Sequence, residues 1–367
     1  LYLSEPQLQI LSQGTFDCTS GKMWMQWCGT SHVVAHLVEV TQDDWSWKDD
    51  KTPAALGREA FSVDVVIVKT SVPVRDFRDV KSKDDLVKAL ETDRIDEKPA
   101  FYCLVVPRDA LPILFRQLKD ASELIRYRTV LAPKDGQNRG GDLAEILSGL
   151  RVGVVGLGSV GSKVTVSLAR AGVKRFDVVD DDILHPGNID RHDGEWRDIG
   201  LHKGDHIKRR LNLISPTAEV TARRVSIGAQ VSASEMARVN GALSECDLII
   251  DATANPIVLN HLAAISLSSG NSIVWGGVYA GGIGGYMARS RPEKDSTPHL
   301  LRQALNDFYA TIDSPPPVPT REGYDGQVSE DVFIASDVDV SLLAAHLSSF
   351  ALDTLVRAEP SDFDAPI

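Results

Sequence analysis

Six residues, Gly156-Leu157-Gly158-Ser159-Val160-Gly161, constrain this chain more than any other feature. They stand directly after an apolar run, Arg151–Val155, and directly before a stretch with helical spacing, Ser162–Ala171. A G-x-G-x-x-G in that setting makes the tight turn of a β-α-β unit. Glycine lets the backbone turn sharply and brings N–H groups close to phosphate, and the helix start adds about half a positive charge. The candidate phosphate contacts are therefore Gly156, Gly158, Ser159 and Gly161. A second apolar run, Phe176–Val179, completes the unit, and chirality and burial put two such strands side by side in a parallel sheet. Asp180, at the end of that second strand, is placed to accept from ribose hydroxyls. Alone, these residues say nucleotide, and a nicotinamide-dependent oxidoreductase fits them equally well. The bland alternative is that the glycines only let helix and strand pack closely.

Residues further on separate these readings. Asn188-Ile189-Asp190-Arg191 follows Asp180 at a short interval, and Asp198-Ile199-Gly200-Leu201-His202-Lys203 opens an amphipathic helix that ends near Leu211–Ser215. An arginine and a lysine converging beyond the glycine turn, Arg191 and Lys203, suit a polyphosphate and the departure of pyrophosphate. A dehydrogenase has no comparable need. Asp251 ends the strand Asp247–Asp251, where ligands of open α/β sheets sit, and its hard oxygen is a natural magnesium ligand.

Taken in order, these elements resemble the ThiF/MoeB/HesA and ubiquitin-activating enzymes. Those proteins show a glycine loop, an acidic strand end, an N-x-x-R segment, a D-I-G-x-x-K segment, an N-P and a D-x-T-x-N strand end. This chain has Gly156–Gly161, Asp180, Asn188 with Arg191, Asp198-Ile199-Gly200 with Lys203, Ser215-Pro216 in place of N-P, and Asp251-x-Thr253-x-Asn255. The likeness covers Arg151–Val278 well and Val340–Val356 loosely. It implies an α/β fold with a Rossmann-like, mostly parallel sheet as the adenylation domain. It does not reach the first hundred residues, whose own patterns read as a smaller N-terminal α/β domain. It also implies Asp180 on the ribose of ATP, Asn188, Arg191 and Lys203 on its phosphates, and Asp251 on Mg2+.

The implied activity is ATP- and magnesium-dependent adenylation of the C-terminal carboxylate of a ubiquitin-like or sulfur-carrier protein that ends in glycine. The family also sends an arginine of an R-Y-x-R element across a dimer to the γ-phosphate. Arg126-Tyr127-Arg128 is one residue shorter, so Arg128 is the candidate and Arg126 the alternative. A homodimer or heterodimer is expected on the same ground. Alternative functions are a peptide-adenylating enzyme of microcin type, the oxidoreductase above, and a non-catalytic adenylation-domain adaptor. Many relatives carry an acceptor cysteine after the magnesium aspartate, whereas this chain has none after Cys246. The glycine run Gly276–Gly285 is comparable to a family segment that accompanies the partner's tail, and a flexible turn is the alternative reading.

With 367 residues, two domains are expected. Residues 1–125 read as an N-terminal α/β domain, 126–148 as a linker with the arginine finger, and 149–358 as the ThiF-type adenylation domain with a mobile, proline-bearing loop at about 290–335. In the first domain His32–Val40, Val63–Lys69 and Ala100–Val106 read as strands, and Lys81–Thr92 and Leu111–Leu118 as helices. A net charge of −12 opposes attraction to phosphate backbones, so no nucleic acid is expected. No apolar run approaches the roughly 18–20 residues that span a bilayer, and Leu1–Pro6 has no signal-peptide pattern, so no membrane and a cytoplasmic location are expected. The start at Leu1 rather than Met leaves room for a domain upstream. The four cysteines include no C-x-x-C pair, so no zinc is expected.

Overall fold

A computed structural model describes residues 2–14, 17–28, 32–42, 45–48, 60–90, 101–106, 109–117, 122–132, 141–215, 217–278, 284–312, 335–356, 360–363 and 365–367. The chain divides into two compact units, Leu1–Arg139 and Gly140–Ile367.

The first unit is a mixed sheet. Its strands are β1 (Tyr2–Ser4), β2 (Cys18–Cys28), β3 (His32–Gln42), β4 (Trp45–Lys48), β5 (Ala60–Lys69), β6 (Phe101–Val106), β7 (Asp109–Gln117), β8 (Ser122–Arg126) and β9 (Val130–Ala132). They run β8-β7-β6-β5-β2-β3-β1-β9, with β4 added to β3. Most pairs are antiparallel, and β5–β6, β1–β3 and β1–β9 are parallel. Helix α1 (Glu5–Gln13) contributes Leu8 and Leu11 to a core with Met23, Leu37, Val40 and Ile67. Helix α2 (Lys83–Leu90) starts where Ser82 Oγ accepts the Asp85 N–H, and Asp85 Oδ2 accepts from Lys81 and Ser82 in return. Residues 91–92 of the expected helix lie outside the described residues.

The expected helix Leu111–Leu118 is instead strand β7 as far as Gln117. Leu111, Ile113 and Phe115 pack into one core cluster and Ala110 and Leu114 into another. A strand apolar on both faces hides its period of two, and Leu111, Leu114 and Phe115 then mimic helical spacing. Pairing with β6 on one side and β8 on the other settles the conformation.

The second unit carries the glycine turn. Its strands are β10 (Arg151–Val155), β11 (Arg175–Val179), β12 (Glu219–Arg223), β13 (Leu248–Asp251), β14 (Ser272–Val278) and β15 (Gly285–Ser290). Their order is β12-β11-β10-β13-β14-β15, and all neighbours are parallel except β14–β15. The helices are α3 (Gly141–Gly149), α4 (Ser159–Ala171), α5 (Lys203–Ile214), α6 (Ala233–Ser244), α7 (Pro256–Ser269), α8 (Pro298–Tyr309) and α9 (Asp337–Val356). Strand residues alternate between the faces. Val152, Val154, Leu248 and Ile250 join Val164, Ile207, Leu211 and Phe350, whereas Val155, Ile249, Ile273 and Trp275 join Val239, Leu243, Leu262 and Leu301. Both faces are therefore covered by helices, as a parallel sheet requires. The strand order reverses between β10 and β13, and a doubly wound sheet binds ligands outside the carboxyl ends of the strands at that reversal.

Part of the segment read as a loop at 290–335 is helical. Thr297 precedes Pro298 at the first position of α8, and Leu301 and Leu305 are buried on its inner side. Proline suits that position because its missing N–H would have no helical partner there. Residues 313–334 lie outside the described residues. Contrary to the expectation that no run could cross a bilayer, α9 is long and apolar enough by length and composition. It is a core helix, with Val340, Ala344, Leu347, Phe350, Ala351 and Leu355 buried. Its Asp353 pairs with the fully buried Arg289 of β15, whose guanidinium also stacks on Phe350 and binds Ser361.

Candidate functional site

Register places three strand ends level. Val155 pairs with Val179 on one side and with Asp251 on the other, so the glycine turn, Asp180 and Asp251 share one edge of the sheet. Gly156 has φ +84°, a conformation that L side chains rarely adopt, and a Cβ there would come 3.0 Å from the Thr253 nitrogen. At Gly161 a Cβ would sit 1.9 Å from the Gly156 carbonyl. Gly158, which precedes α4, has nothing within 4 Å of its Cβ position. The first and last glycines therefore let backbones touch, and the middle one leaves open space over the start of α4, next to Ser159. This is the division of labour that a phosphate loop requires.

Buried polar groups hold the turn from beneath. Asp180 Oδ2 accepts the Leu157 N–H at 2.6 Å and Oδ1 accepts the Asp182 N–H at 2.9 Å. Burial raises the Asp180 carboxyl, against the pull of those two bonds. His192, 6% exposed, donates from Nε2 to the Leu157 carbonyl at 2.7 Å, and its Nδ1 accepts the Gly194 N–H at 2.9 Å. Burial drives His192 down to about 4, so the ring is neutral near pH 7. His192 was missed in the sequence, although it directly follows Arg191.

Asn188 Oδ1 accepts the His185 N–H at 2.9 Å and shapes the short turn that presents Arg191, which is half-buried. Asp198 is buried, accepts the Glu195 N–H at 2.9 Å and pairs with Arg209 at 3.2 Å, while Gly200 takes φ +87°. These two residues turn the chain so that Lys203 begins α5. Lys203 is mostly buried, and its ammonium binds the Asp182 carboxylate. Burial pushes Asp182 upward, but Lys203, the Ile183 N–H and His185 together outweigh it and hold the carboxyl below the usual range. Asp182 was also missed, and its i+2 spacing from Asp180 at a strand end is the signal that could have found it.

The Asp251-x-Thr253-x-Asn255 element is a relay of hydrogen bonds. Asp251 Oδ1 accepts from Thr253 N at 2.9 Å and from Thr253 Oγ1 at 2.6 Å. Thr253 Oγ1 in turn accepts the Asn255 N–H, and Asn255 Oδ1 caps α7 by accepting the Ile257 N–H. Ala254 completes the turn at φ +52°. Asp251 is 3% exposed, and burial raises it to about 6 although both Thr253 bonds act in the opposite direction. A carboxylate kept in so costly a place suits a cation. Magnesium is bound through one or two carboxylates with phosphate and water completing the shell, so a single Asp251 fits. No group of three or more His, Cys, Asp or Glu side chains able to hold a metal exists among the described residues.

Asp251 also lines a small pocket with Asn255, Pro256, Leu259, Trp275, Tyr286 and Arg302. Arg302 lies on α8, inside the segment read as a loop. Thr297-Pro298 followed by Leu301 and Leu305 is the helix signature that could have revealed it. Arg128 belongs to the first unit and is exposed, whereas Arg126 donates to the carbonyls of Phe77, Arg78 and Val80. Residues 279–283 of the glycine run lie outside the described residues. Cys103 and Cys246 are buried thiols pushed up to about 12 by desolvation, and Cys246 donates to the Ala242 carbonyl. Neither is a nucleophile in that state.

The model of the ThiF family matches residues 134–317. An ATP-dependent ubiquitin transferase-like protein Cap2 from Enterobacter hormaechei subsp. hoffmannii is 34% identical over 150 residues, covering 41% of this chain and 24% of that protein. A probable adenylyltransferase/sulfurtransferase MoeZ from Mycobacterium tuberculosis is 28% identical over 162 residues, covering 43% and 38%. The chain thus spans well under half the length of these relatives. Among solved structures, E. coli MccB with ATP aligns over 61% of this chain and 65% of that one, at 15% identity and a TM-score of 0.44.

Proposed function

The chain belongs to the ThiF family, and from that premise we propose that its second unit adenylates a protein or peptide carboxylate with ATP. The observation that carries this reading is the convergence at one sheet edge of an open helix start at Gly158, the buried Asp251, and Lys203 linked through Asp182 to the strand end that bears Asp180. In this reading Gly156, Gly158, Ser159 and Gly161 receive phosphate oxygens and Asp180 faces the ribose. Asn188 shapes the turn from which Arg191 reaches the phosphates.

The carboxylate attacks the α-phosphorus as the bond to the bridging oxygen breaks, and pyrophosphate leaves with the electron pair. Arg191 and Lys203 offset the charge that develops on the leaving group. Asp251 would hold magnesium, which when bound neutralises phosphate charge. No side-chain nucleophile is required. The acceptor we favour is a small ubiquitin-like or sulfur-carrier protein ending in glycine, in line with the names of the Cap2 and MoeZ relatives.

The test is ATP–pyrophosphate exchange by the purified protein with a panel of small proteins ending in Gly-Gly. Exchange is expected with one of them, with a loss of about 100-fold in Lys203→Ala and in Asp251→Ala. Full exchange in Asp251→Ala would overturn the metal assignment. NADH binding without any exchange would turn the reading toward an oxidoreductase.

A further inference from the structure

The pocket beside Asp251 contains one charge that nucleotide chemistry does not use. Leu301 and Leu305 anchor α8 in the core, and Arg302 follows the first of them into the pocket wall. Arg302 Nη1 is buried and has no hydrogen-bond partner among the described residues. Leaving a buried donor of a charged group unmade costs more than the roughly 1–3 kcal/mol of a neutral one, so a ligand oxygen that reached this nitrogen would recover that cost. Across the pocket stand Asp251 and the first turn of α7 at Asn255 and Pro256, with Trp275 on the floor strand β14. Arg302, Asp251 and Tyr286 line the same pocket.

The chemistry identifies the missing partner. An acceptor carboxylate that approaches an anionic triphosphate is drawn in by a cation on its own side of the site. Arg302 offers planar N–H donors that match a carboxylate, and the helix start adds a further positive pole. Trp275 and Leu259 add apolar walls. We propose that Arg302 is the specificity-determining residue that receives the terminal carboxylate of the acceptor chain, in the pocket closed by Asp251, Trp275 and Tyr286. This rests on the adenylation reading above. Arg302 gains and loses hydrogen bonds only. The carboxylate oxygen forms the new bond to phosphorus, the phosphorus–bridging oxygen bond breaks toward pyrophosphate, and no proton leaves the guanidinium.

The experiment uses the full chain and two probes, acetyl-Gly-Gly and its C-terminal amide, titrated by calorimetry in the presence of a non-hydrolysable ATP analogue and magnesium. The unmodified protein should prefer the free carboxylate by about tenfold or more. Arg302→Gln should abolish that preference, and Arg302→Lys should retain part of it. Thermal melting and nucleotide affinity are measured on the same samples to show that each variant is folded. Loss of carboxylate preference with nucleotide affinity kept within about twofold supports the assignment. No preference in the unmodified protein, or an unchanged preference in Arg302→Gln, overturns it while leaving adenylation standing. Absence of nucleotide binding in every sample instead refutes the adenylation reading.

Discussion

Replacing Asp251 by Asn should stabilise the free protein while abolishing pyrophosphate exchange. Asp251 is 3% exposed, and its only hydrogen-bond donors among the described residues are the two groups of Thr253, both on Oδ1. Burial raises its carboxyl from 3.8 to about 6. At about 1.4 kcal/mol per pH unit, that rise corresponds to roughly 3 kcal/mol of lost stability once the group is ionised. The sign follows from proton binding. Between 3.8 and 6 the folded state holds the proton and the unfolded chain does not, so stability falls as pH rises through that window. An amide keeps an oxygen for Thr253 and carries no charge. Asp251→Asn should therefore gain about 3 kcal/mol near pH 7, about half that near pH 5, and nothing below pH 3.8. Urea unfolding without nucleotide or magnesium measures the difference, and hydrogen exchange of β10 and β13 amides assigns it to the second unit. A gain that does not shrink with acid, or no gain near pH 7, would refute the reasoning. Magnesium-ATP should then stabilise the unmodified protein more than the variant, because the ligand offsets the cost of the buried anion only where the anion exists.

Other predictions test other links. Gly161→Ala drives a Cβ to 1.9 Å from the Gly156 carbonyl and should unfold the turn, whereas Gly158→Ala meets nothing within 4 Å. The second variant should melt within about 0.5 kcal/mol of the parent and yet bind ATP at least tenfold more weakly in a titration. His192 lies at about 4 rather than 6.5, so the unfolded chain takes a proton that the folded one refuses, and stability is lost as pH falls through that window. Between about pH 7 and pH 5 this contributes a loss of about 2 kcal/mol, which His192→Gln should remove from the pH profile of urea unfolding. Arg289→Met strands Asp353 in the core and should cost about 3–5 kcal/mol in the same assay.

Much of the second unit was legible because its signals are local. Arg151–Val155, the glycine turn and the following helix each announce themselves within a few residues, and Asp251-x-Thr253-x-Asn255 is spaced for a hydrogen-bond relay that closes within one turn. What escaped depends on contacts distant in sequence. The period of β7 is masked because both of its faces are covered, and only pairing with β6 and β8 reveals it. The role of His192 rests on a carbonyl 35 positions away, and Arg302 becomes interesting only once α8 sets it opposite Asp251. Helix α8 itself was overlooked because prolines on both sides of it suggested an irregular segment throughout.

Leu157 shows how the motifs of this domain depend on one another. Its side chain is fully buried in the core, its N–H is held by Asp180 and its carbonyl by His192. Apolar burial and two hydrogen bonds thus fix one residue in the middle of the glycine turn, and both hydrogen bonds come from the segment that also carries Asn188 and Arg191. The turn cannot keep its shape if that segment moves, and the segment is tied in turn to α5, because Asp182 accepts both the Lys203 ammonium and, through its carbonyl, the Lys203 N–H at 3.0 Å. Asp180 consequently has a structural duty whether or not a ribose is present, and a phosphate entering over Gly158 meets donors whose positions were set before it arrived. Preorganisation of that kind is what charge-stabilising catalysis needs, since groups already aimed at the developing charge need no rearrangement during the reaction.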